Sequence, residues 1–449
     1  GPSRVVAPLW PRNVQRTTNN ASTLSSRCSG TVSLGPQDTG SHDVTDQNSG
    51  RAQIDWRHTG RFCGGAFGLD LANGMFFVAL PYLGLAFGAD SMRLGILTAL
   101  RGAAYILACV PASMLSDRLN RKALIAFSTV GICLAFLATA FTSEFSQLCV
   151  LTVFWALVIS PMWPALFSWV GDSHSKEQLG VATGAVNLSW SVGGMLGGLV
   201  SGWLFGLSKP LPFLCAVLPA GLACALMLRF RCGHGRPEAV VRTAPVVGVK
   251  RELVSVWLSN MAVCSLLGLM SGVFPELGMT LGVNAAVFGF LMAGLALGRS
   301  VVFFLGLFWS QRLHDWRLAM PAQIFAGLMV ASVGRTHSRI WLALVYLAVG
   351  LAVGINYYRG LYKSLEGAGS RGLKSGLHEA TLLLGILLGS LGGGWLAKNH
   401  GLRAPYMPAG VFVIVLLVFQ AALLISSGAA RRKAAPVPPE DGAAGPEQE

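Results

Sequence analysis

Charged residues are scarce in this sequence. Asp, Glu, Lys and Arg make up 12% of the 449 residues, whereas soluble domains typically contain about 25%. The hydrophobic fraction is 53% and the mean hydropathy is +0.57. Such a composition speaks against a water-soluble domain and favours a chain that lies mostly in a membrane.

Several sequence motifs of metal-binding, nucleotide-binding and catalytic sites are also missing. The nine cysteines are scattered, with no CxxC pair and no Cys/His cluster at zinc spacing, so neither a disulfide framework nor a metal site is predicted. No G-x4-G-K-[ST] loop and no G-x-S-x-G elbow occurs, which argues against an ATP-driven pump and against an enzyme. We predict no cofactor. The net charge of +14 does not predict a nucleic-acid partner, because the basic residues lie between apolar runs without interleaved aromatics.

Apolar runs fill the middle of the chain. A helix that crosses a bilayer needs about 20 apolar residues, and twelve runs approach or exceed this length. Their approximate bounds are 64–87, 91–115, 122–141, 145–170, 180–205, 210–229, 253–277, 285–308, 318–334, 340–362, 376–397 and 404–427. We therefore predict an all-α polytopic membrane protein with twelve transmembrane helices.

The longest polar gap between the runs divides them six and six. It predicts a first bundle over 61–229, a cytoplasmic linker over 230–252 and a second bundle over 253–428. Residues 1–60 are rich in Ser, Thr, Asn and Gly, and residues 429–449 in Pro, Ala and Glu, so both are predicted to be disordered tails. The Ser- and Arg-rich start also fits an organellar transit peptide, but a cytosolic tail is the favoured interpretation.

The positions of Lys and Arg predict the orientation. If the N-terminus lies inside, most membrane-proximal Lys and Arg residues lie in inner segments, as cytoplasmic segments require. The outer loops then contain only Arg93, Lys209, Arg335, Arg339, Lys398 and Arg403. We expect a plasma (inner) membrane protein with both termini in the cytoplasm.

The two sets of six runs are similar to each other. Four groups of residues match in chain order, three at an offset of 194 and one at 192. The pairs are 80–84 with 274–278, Gly95 with Gly289, 116–119 with 310–313, and Gly184, Gly193 and Gly197 with Gly376, Gly385 and Gly389. A duplicated six-helix unit keeps its orientation, so the two copies are related by an axis along the membrane normal and share a central site.

The loop between the second and third runs carries a family resemblance. Residues 113–122 read S-M-L-S-D-R-L-N-R-K and are similar to the G-x-x-x-D-R-x-G-R-R/K pattern of the major facilitator superfamily, with Ser113 and Asn120 in place of glycines. The chain resembles this superfamily over essentially all of 64–427. The resemblance implies two pseudo-symmetric six-helix bundles, and a gating loop at the cytoplasmic side that includes Asp117, Arg118 and Arg121.

The glycines of the fifth and eleventh runs resemble the antiporter motif of the same family. The matching residues are Gly184, Gly193, Gly197 and Gly202, and Gly376, Gly385, Gly389, Gly393 and Gly394. Close packing of small residues in lipid is the favoured interpretation. The arginine that proton-coupled drug exporters of this family often carry in the fourth helix is absent from 154–164, which weakens a drug-export assignment.

Two arginines lie inside the apolar runs, where an ionisable residue indicates function by default. Arg101 and Arg299 differ by four positions in the repeat and so share a helix face; Tyr105 occupies the place that matches Arg299 (299 − 105 = 194). Two guanidiniums that face one cavity would bind an anion. Nitrate/nitrite porters of the superfamily carry arginines on these helices, but their Asn-containing glycine signature is not cleanly present. The alternative is that each arginine pairs with an internal carboxylate.

Carboxylates inside the runs can carry a coupling proton. We predict this function for Asp70 and Glu379, with His378 adjusting or sharing the proton. The alternative for Glu379 is a salt bridge with Arg359 or with a basic loop residue at the membrane edge. Asn187 matches Glu379 in the repeat (379 − 187 = 192). The predicted substrate-binding residues are Arg101, Arg299, Tyr105, Asn187, Trp190 and Asn356.

These residues predict a secondary transporter that moves a small solute by alternating access and is coupled to protons, with an anion as one candidate substrate. We expect its partners to be that solute and the lipid bilayer, and the chain to act as a monomer. One alternative is a proton-antiporting exporter of amphipathic compounds. Another is a membrane sensor that has the same fold but does not transport.

Overall fold

A computed structural model describes residues 55–116, 119–229, 251–313, 315–365 and 371–434. All regular secondary structure in these ranges is helical. The elements are α1 Trp56–Ala86, α2 Ser91–Ser116, α3 Arg121–Ala140, α4 Phe145–Ile159, α5 Met162–Ser173, α6 Lys176–Leu207, α7 Leu211–Leu228, α8 Arg251–Gly268, a π-helical turn Leu269–Val273, α9 Phe274–Thr280, α10 Ala285–Leu313, α11 Trp316–Val333, α12 Arg339–Leu365, α13 Arg371–His400 and α14 Tyr406–Ala434.

Twelve of the helical spans in the described ranges are long and apolar enough to cross a membrane, which confirms the predicted number. Two of them are broken. The helices α4 and α5 form one span that is interrupted at Pro161, and α8, the π-helical turn and α9 form another that is interrupted before Pro275. Proline has no N–H to donate within a helix and so forces a local change of geometry.

Helix α1 begins eight residues before the predicted apolar run. Asp55 caps it, because its side chain accepts hydrogen bonds from the backbone N–H groups of Arg57 (2.9 Å) and His58 (3.2 Å). Such a cap satisfies N–H groups that have no partner within the helix. The first turns are polar, so hydropathy alone does not detect them.

The helices build two apolar cores. The first lies within α1 to α7 and includes Phe76, Phe136 and Phe213; the second lies mainly within α8 to α14 and includes Phe274 and Tyr346. Twelve crossings return the chain to the side on which it began. We call the side of Trp56 and Ala434 the terminal face, and the opposite side the far face.

The sequence repeat reappears in the packing of each half. Glycines of α6 lie against backbone carbonyls of α1, and the matching glycines of α13 lie against backbone carbonyls of α8. The pairs are Gly193 with Phe67, Gly197 with Leu71, Gly385 with Met261, and Gly389 with Ser265. The carbonyl positions are related by the same offset (261 − 67 = 194; 265 − 71 = 194). A Cβ at any of these glycines would collide with the facing carbonyl, which agrees with close helix packing.

The two halves meet through a second symmetric set of glycine contacts. Helix α2 packs against α13, and α6 packs against α10. Gly95 lies against the Ser390 carbonyl, and its counterpart Gly289 lies against the Gly198 carbonyl. The offsets again agree (289 − 95 = 194; 390 − 198 = 192). These close approaches lie toward the far face, so the halves are in direct backbone contact there.

Candidate functional site

A cavity of about 290 Å³ lies between the two cores. Helices of both halves line it, and the lining includes four charged side chains: Asp70, Arg101, Arg299 and Glu379. Asp70 lies near the middle of the 31-residue helix α1, and Arg299 near the middle of the 29-residue helix α10. At a rise of about 1.5 Å per residue, both positions are deep within the membrane.

Most of the remaining lining is apolar or aromatic. It includes Phe77, Leu97, Trp155, Trp163, Met292 and Ile386. Such surroundings have a low effective dielectric constant, so charges and hydrogen bonds inside the cavity interact more strongly than they would in water.

Arg299 is held by groups of the first half. Its Nε donates a hydrogen bond to Ser191 Oγ (2.9 Å), and its Cζ lies 4.1 Å from the ring centroid of Trp190. Ser300 Oγ also donates to Ser191 Oγ (2.8 Å). Asp70 of α1 is close enough to interact electrostatically with Arg299. The guanidinium of α10 therefore connects α10 to α6 directly and lies within electrostatic range of α1.

Arg101 has a different environment. Its Cζ lies 4.4 Å from the ring centroid of Phe77, which is a favourable cation–π distance. It forms no ion pair and no hydrogen bond with any residue that the structure describes. The five N–H donors of a guanidinium thus remain available to a molecule in the cavity.

Four other polar atoms of the cavity lining are buried without a hydrogen-bond partner in the described part of the chain. They are Asp70 Oδ2, Asn73 Oδ1, Tyr105 Oη and Trp155 Nε1. Buried polar atoms are normally paired, so these four stand out as groups whose desolvation no described residue compensates.

Glu379 lies in the cavity wall, and His378 lies behind it. The Tyr357 hydroxyl donates to Glu379 Oε1 (3.5 Å), and the ring of Tyr357 meets the His378 ring edge-on at 5.3 Å. Both ring nitrogens of His378 are buried without a partner. Glu379 does not pair with Arg359, which instead lies within electrostatic range of Asp315 and Glu252.

Two residues predicted to bind substrate lie outside the cavity lining. Asn187 is buried and accepts a hydrogen bond from Trp190 Nε1 (2.9 Å), so it orients a cavity residue rather than facing the cavity. Asn356 faces the interior of the second half because its helix turns that side toward α8 and α11. There it accepts hydrogen bonds from Ser259 Oγ and from Gln323 Nε2 (3.3 Å).

The predicted gating loop is described only in part. Asp117 and Arg118 lie outside the described residues. Arg121, the first residue of α3, forms an ion pair with Asp172 near the end of α5. This pair joins two helices of the first half at the terminal face.

Sequence reasoning missed Phe77, Trp155 and Ser191. The position of Phe77 contains a usable signal, because it follows Asp70 by seven residues and therefore lies two turns further along the same face of α1. Nothing in the spacing of Trp155 along the chain predicts an unpaired indole in a cavity. Ser191 contacts α10 across the boundary between the halves, which periodicity within α6 does not reveal.

No group of three or more His, Cys, Asp or Glu residues that could hold a metal ion occurs in the described ranges. Comparison with protein families finds a match to the model described as Major Facilitator Superfamily over residues 62–359. No curated protein sequence is found to match the chain.

Several solved structures have a similar fold. A bacterial homolog of the human lysosomal transporter Spinster, in an inward-facing and occupied conformation, is 18% identical with a TM-score of 0.64, over 86% of this chain and 100% of that one. The nucleoside transporter NupG is 11% identical with a TM-score of 0.64, over 82% and 98%. The human organic anion transporter MFSD10 is 14% identical with a TM-score of 0.62, over 82% and 100%.

Proposed function

The chain belongs to the major facilitator superfamily, and from this membership we propose that it is a secondary transporter that moves a small anionic solute by alternating access, coupled to protons. Its twelve spans make it an integral membrane protein. The observation that carries the proposal is the cavity between the halves, in which an unpaired arginine lies in the same lining as two carboxylates.

The unpaired guanidinium of Arg101 argues for an anion. A cation deep in a membrane is costly unless an opposite charge or several acceptors compensate it. Arg299 has such compensation from Asp70 and Ser191, whereas no described residue provides it for Arg101. An anionic solute supplies the missing partner during transport.

The two carboxylates of the cavity support coupling of transport to protons. Asp70 and Glu379 line the same cavity, and their negative charges would repel an anionic solute unless one of them is protonated. A proton that binds with the solute removes this repulsion, which links the two movements. His378, whose ring packs edge-on against Tyr357 beside Glu379, would adjust the protonation of that carboxylate.

Alternating access requires that the contacts between the halves rearrange. Arg299 is part of such a contact, since it belongs to α10 and bonds to α6. The ion pair of Arg121 and Asp172 would act in gating at the terminal face, which the excess of Lys and Arg assigns to the cytoplasm. One chain supplies both walls of the cavity, so we propose a monomer in the plasma (inner) membrane.

The proposal is tested with the purified full chain in liposomes that contain a pH-sensitive dye, with the membrane voltage clamped. An inward gradient of small organic anions should acidify the lumen with the wild-type protein, and the signal should be lost in Asp70→Asn and in Glu379→Gln. The control is Glu144→Gln, because Glu144 is an exposed carboxylate outside the cavity. Anion uptake without acidification, unchanged in Glu379→Gln, would contradict proton coupling.

The aromatic lining favours a second candidate function, an exporter of amphipathic compounds. Trp155, Trp163 and Trp190 offer flat apolar surface, which also suits hydrophobic cations. Extrusion of a cationic dye from the same liposomes, without any response to anions, would favour the exporter. A protein that moves neither solute nor protons would instead be a membrane sensor.

A further inference from the structure

Three hydrogen-bond donors of cavity-lining residues have no partner in the described part of the chain. They are the Arg101 guanidinium, the Tyr105 hydroxyl and the Trp155 indole N–H, which we call the donor wall. We propose that the donor wall binds the acid group of a singly charged organic anion whose apolar body fills the remainder of the cavity. This inference rests on the proposed function and names its substrate class.

The donor wall is a built site. Arg101 and Tyr105 are four residues apart on α2 and therefore lie on one face of that helix. Phe77 connects Arg101 to Trp155, since its ring centroid is 4.4 Å from Arg101 Cζ and 5.0 Å from the Trp155 ring. Tyr105 and Trp155 are each only 5% exposed, so water outside the protein cannot satisfy their polar atoms.

The chemistry of the three groups selects an acceptor. A guanidinium and an indole N–H can only donate, and a neutral phenol donates readily. A carboxylate or sulfonate has enough lone pairs to accept from all three, and charge-assisted hydrogen bonds to it are strong. A cation offers no acceptor to these groups.

The charges select a single negative charge. Asp70 lies within electrostatic range of Arg299 and offsets its charge. With Glu379 protonated, as the proposed proton coupling requires, Arg101 is the cation left to balance a solute. A dianion would bring a second charge into the membrane interior without a partner, which is costly.

The size and polarity of the cavity select an organic body. Its volume of about 290 Å³ lies at the lower end of the roughly 300–1,000 Å³ that is usual for small-molecule sites. The part of the lining that the second half contributes includes the apolar residues Leu267, Met292 and Leu295. An inorganic anion would leave this surface without contacts, whereas one or two rings would cover it.

The inference is tested by isothermal titration calorimetry on the full chain in nanodiscs. The probes are 2-naphthoate, its neutral isostere 2-naphthamide, nitrate and tetraphenylphosphonium. We expect 2-naphthoate to bind at least about ten times more tightly than 2-naphthamide, and nitrate not to compete. In Arg101→Gln the preference for naphthoate over naphthamide should disappear.

Tyr105→Phe tests the wall without removing a charge. Because the hydroxyl has no hydrogen-bond partner among the described residues, its removal should leave thermal stability unchanged or higher while it weakens 2-naphthoate binding about fivefold. The matched control is Tyr406→Phe, since Tyr406 also buries an unpaired hydroxyl but lies outside the cavity. It should not change binding.

Three results would overturn the inference. The first is no binding of 2-naphthoate, and the second is equal affinity for 2-naphthoate and 2-naphthamide. The third is a Tyr105→Phe variant that binds 2-naphthoate with the same affinity as Tyr406→Phe. If nitrate competes as strongly as naphthoate, the donor wall does not select an organic body, while the proposed anion transport stands. If only tetraphenylphosphonium binds, both proposals fail.

Discussion

The two halves of the molecule share one repeat but use their buried polar groups differently. In the first half, Arg101, Tyr105 and Trp155 belong to the cavity lining and carry donors without a partner among the described residues. In the second half, Ser259, Gln323, Asn356 and Gln420 form a hydrogen-bonded cluster inside the bundle, while the unpaired polar atoms of His378 and Tyr406 lie outside the cavity lining. Satisfied polar groups fix helix positions, whereas unsatisfied ones are available to a ligand.

The two arginines show the same division. Arg299 interacts with Ser191, Trp190 and Asp70. Arg101 lies over the face of Phe77 and forms no ion pair or hydrogen bond with a described residue. The repeat places Leu295 at the position of Arg101 (295 − 101 = 194) and Tyr105 at that of Arg299. Each half thus provides one arginine, and a single cavity contains one engaged cation and one available cation.

The largest expected effect on stability concerns the close glycine packing that the two halves share. Gly197→Ala and Gly389→Ala each place a Cβ against a facing backbone carbonyl that cannot move without the helix. We expect each to destabilise the protein by about 2–3 kcal/mol, measured by thermal unfolding of the purified protein in detergent.

The controls for this pair are Gly206→Ala and Gly392→Ala, in the same two helices, where a Cβ meets open space. They should leave stability unchanged or raise it by up to about 1 kcal/mol. If the effects at Gly197 and Gly389 differ by more than about 1 kcal/mol, the two helix pairs are not equivalent in packing.

The second prediction concerns the hydrogen-bonded cluster around Gln323, which is formed in the second half. Gln323→Leu removes the partner of Ser259 Oγ (2.8 Å) and of Gln420 (3.0 and 3.2 Å). Buried groups left unpaired should lower stability by about 1–3 kcal/mol. The matched residue of the first half is Thr129 (323 − 129 = 194), whose hydroxyl donates to its own helix at Ile125 O (2.8 Å).

Thr129→Val should therefore cost less than about 1 kcal/mol in the same unfolding assay. Because the cluster lies outside the cavity lining, Gln323→Leu and Asn356→Leu should leave the KM of transport unchanged in the protein that remains folded. A raised KM in Asn356→Leu would restore the prediction that Asn356 binds substrate.

The smallest expected effect on stability is the difference between replacing Arg299 and replacing Arg101. Arg299→Gln leaves Asp70 without its nearby cation, so it should cost about 1–2 kcal/mol, and Asp70→Asn should recover part of this loss in a double-mutant cycle. Arg101→Gln should cost less than about 1 kcal/mol, because it breaks no hydrogen bond within the described protein. Both variants should lose transport in liposomes. Equal destabilisation by the two would remove the distinction between them.

Much of the fold follows from pattern alone. The apolar runs predict twelve spans, and the glycine matches predict which helices pack closely within each half. The early start of α1 and the breaks at Pro161 and Pro275 do not follow from hydropathy, because a cap and a bend depend on individual hydrogen bonds. Of the predicted binding and coupling residues, Asp70, Arg101, Tyr105, Trp190, Arg299 and Glu379 line one cavity.

The number of spans, the duplication and the short set of ionisable residues inside the membrane follow from the sequence, because each depends on local hydropathy or on spacing along the chain. Helix packing, in contrast, makes Arg299 engaged and Arg101 available, and it places Asn356 in a cluster outside the cavity. Helical periodicity assigns a residue to a face of its own helix, but the helix that this face meets depends on how α6, α10 and their neighbours cross.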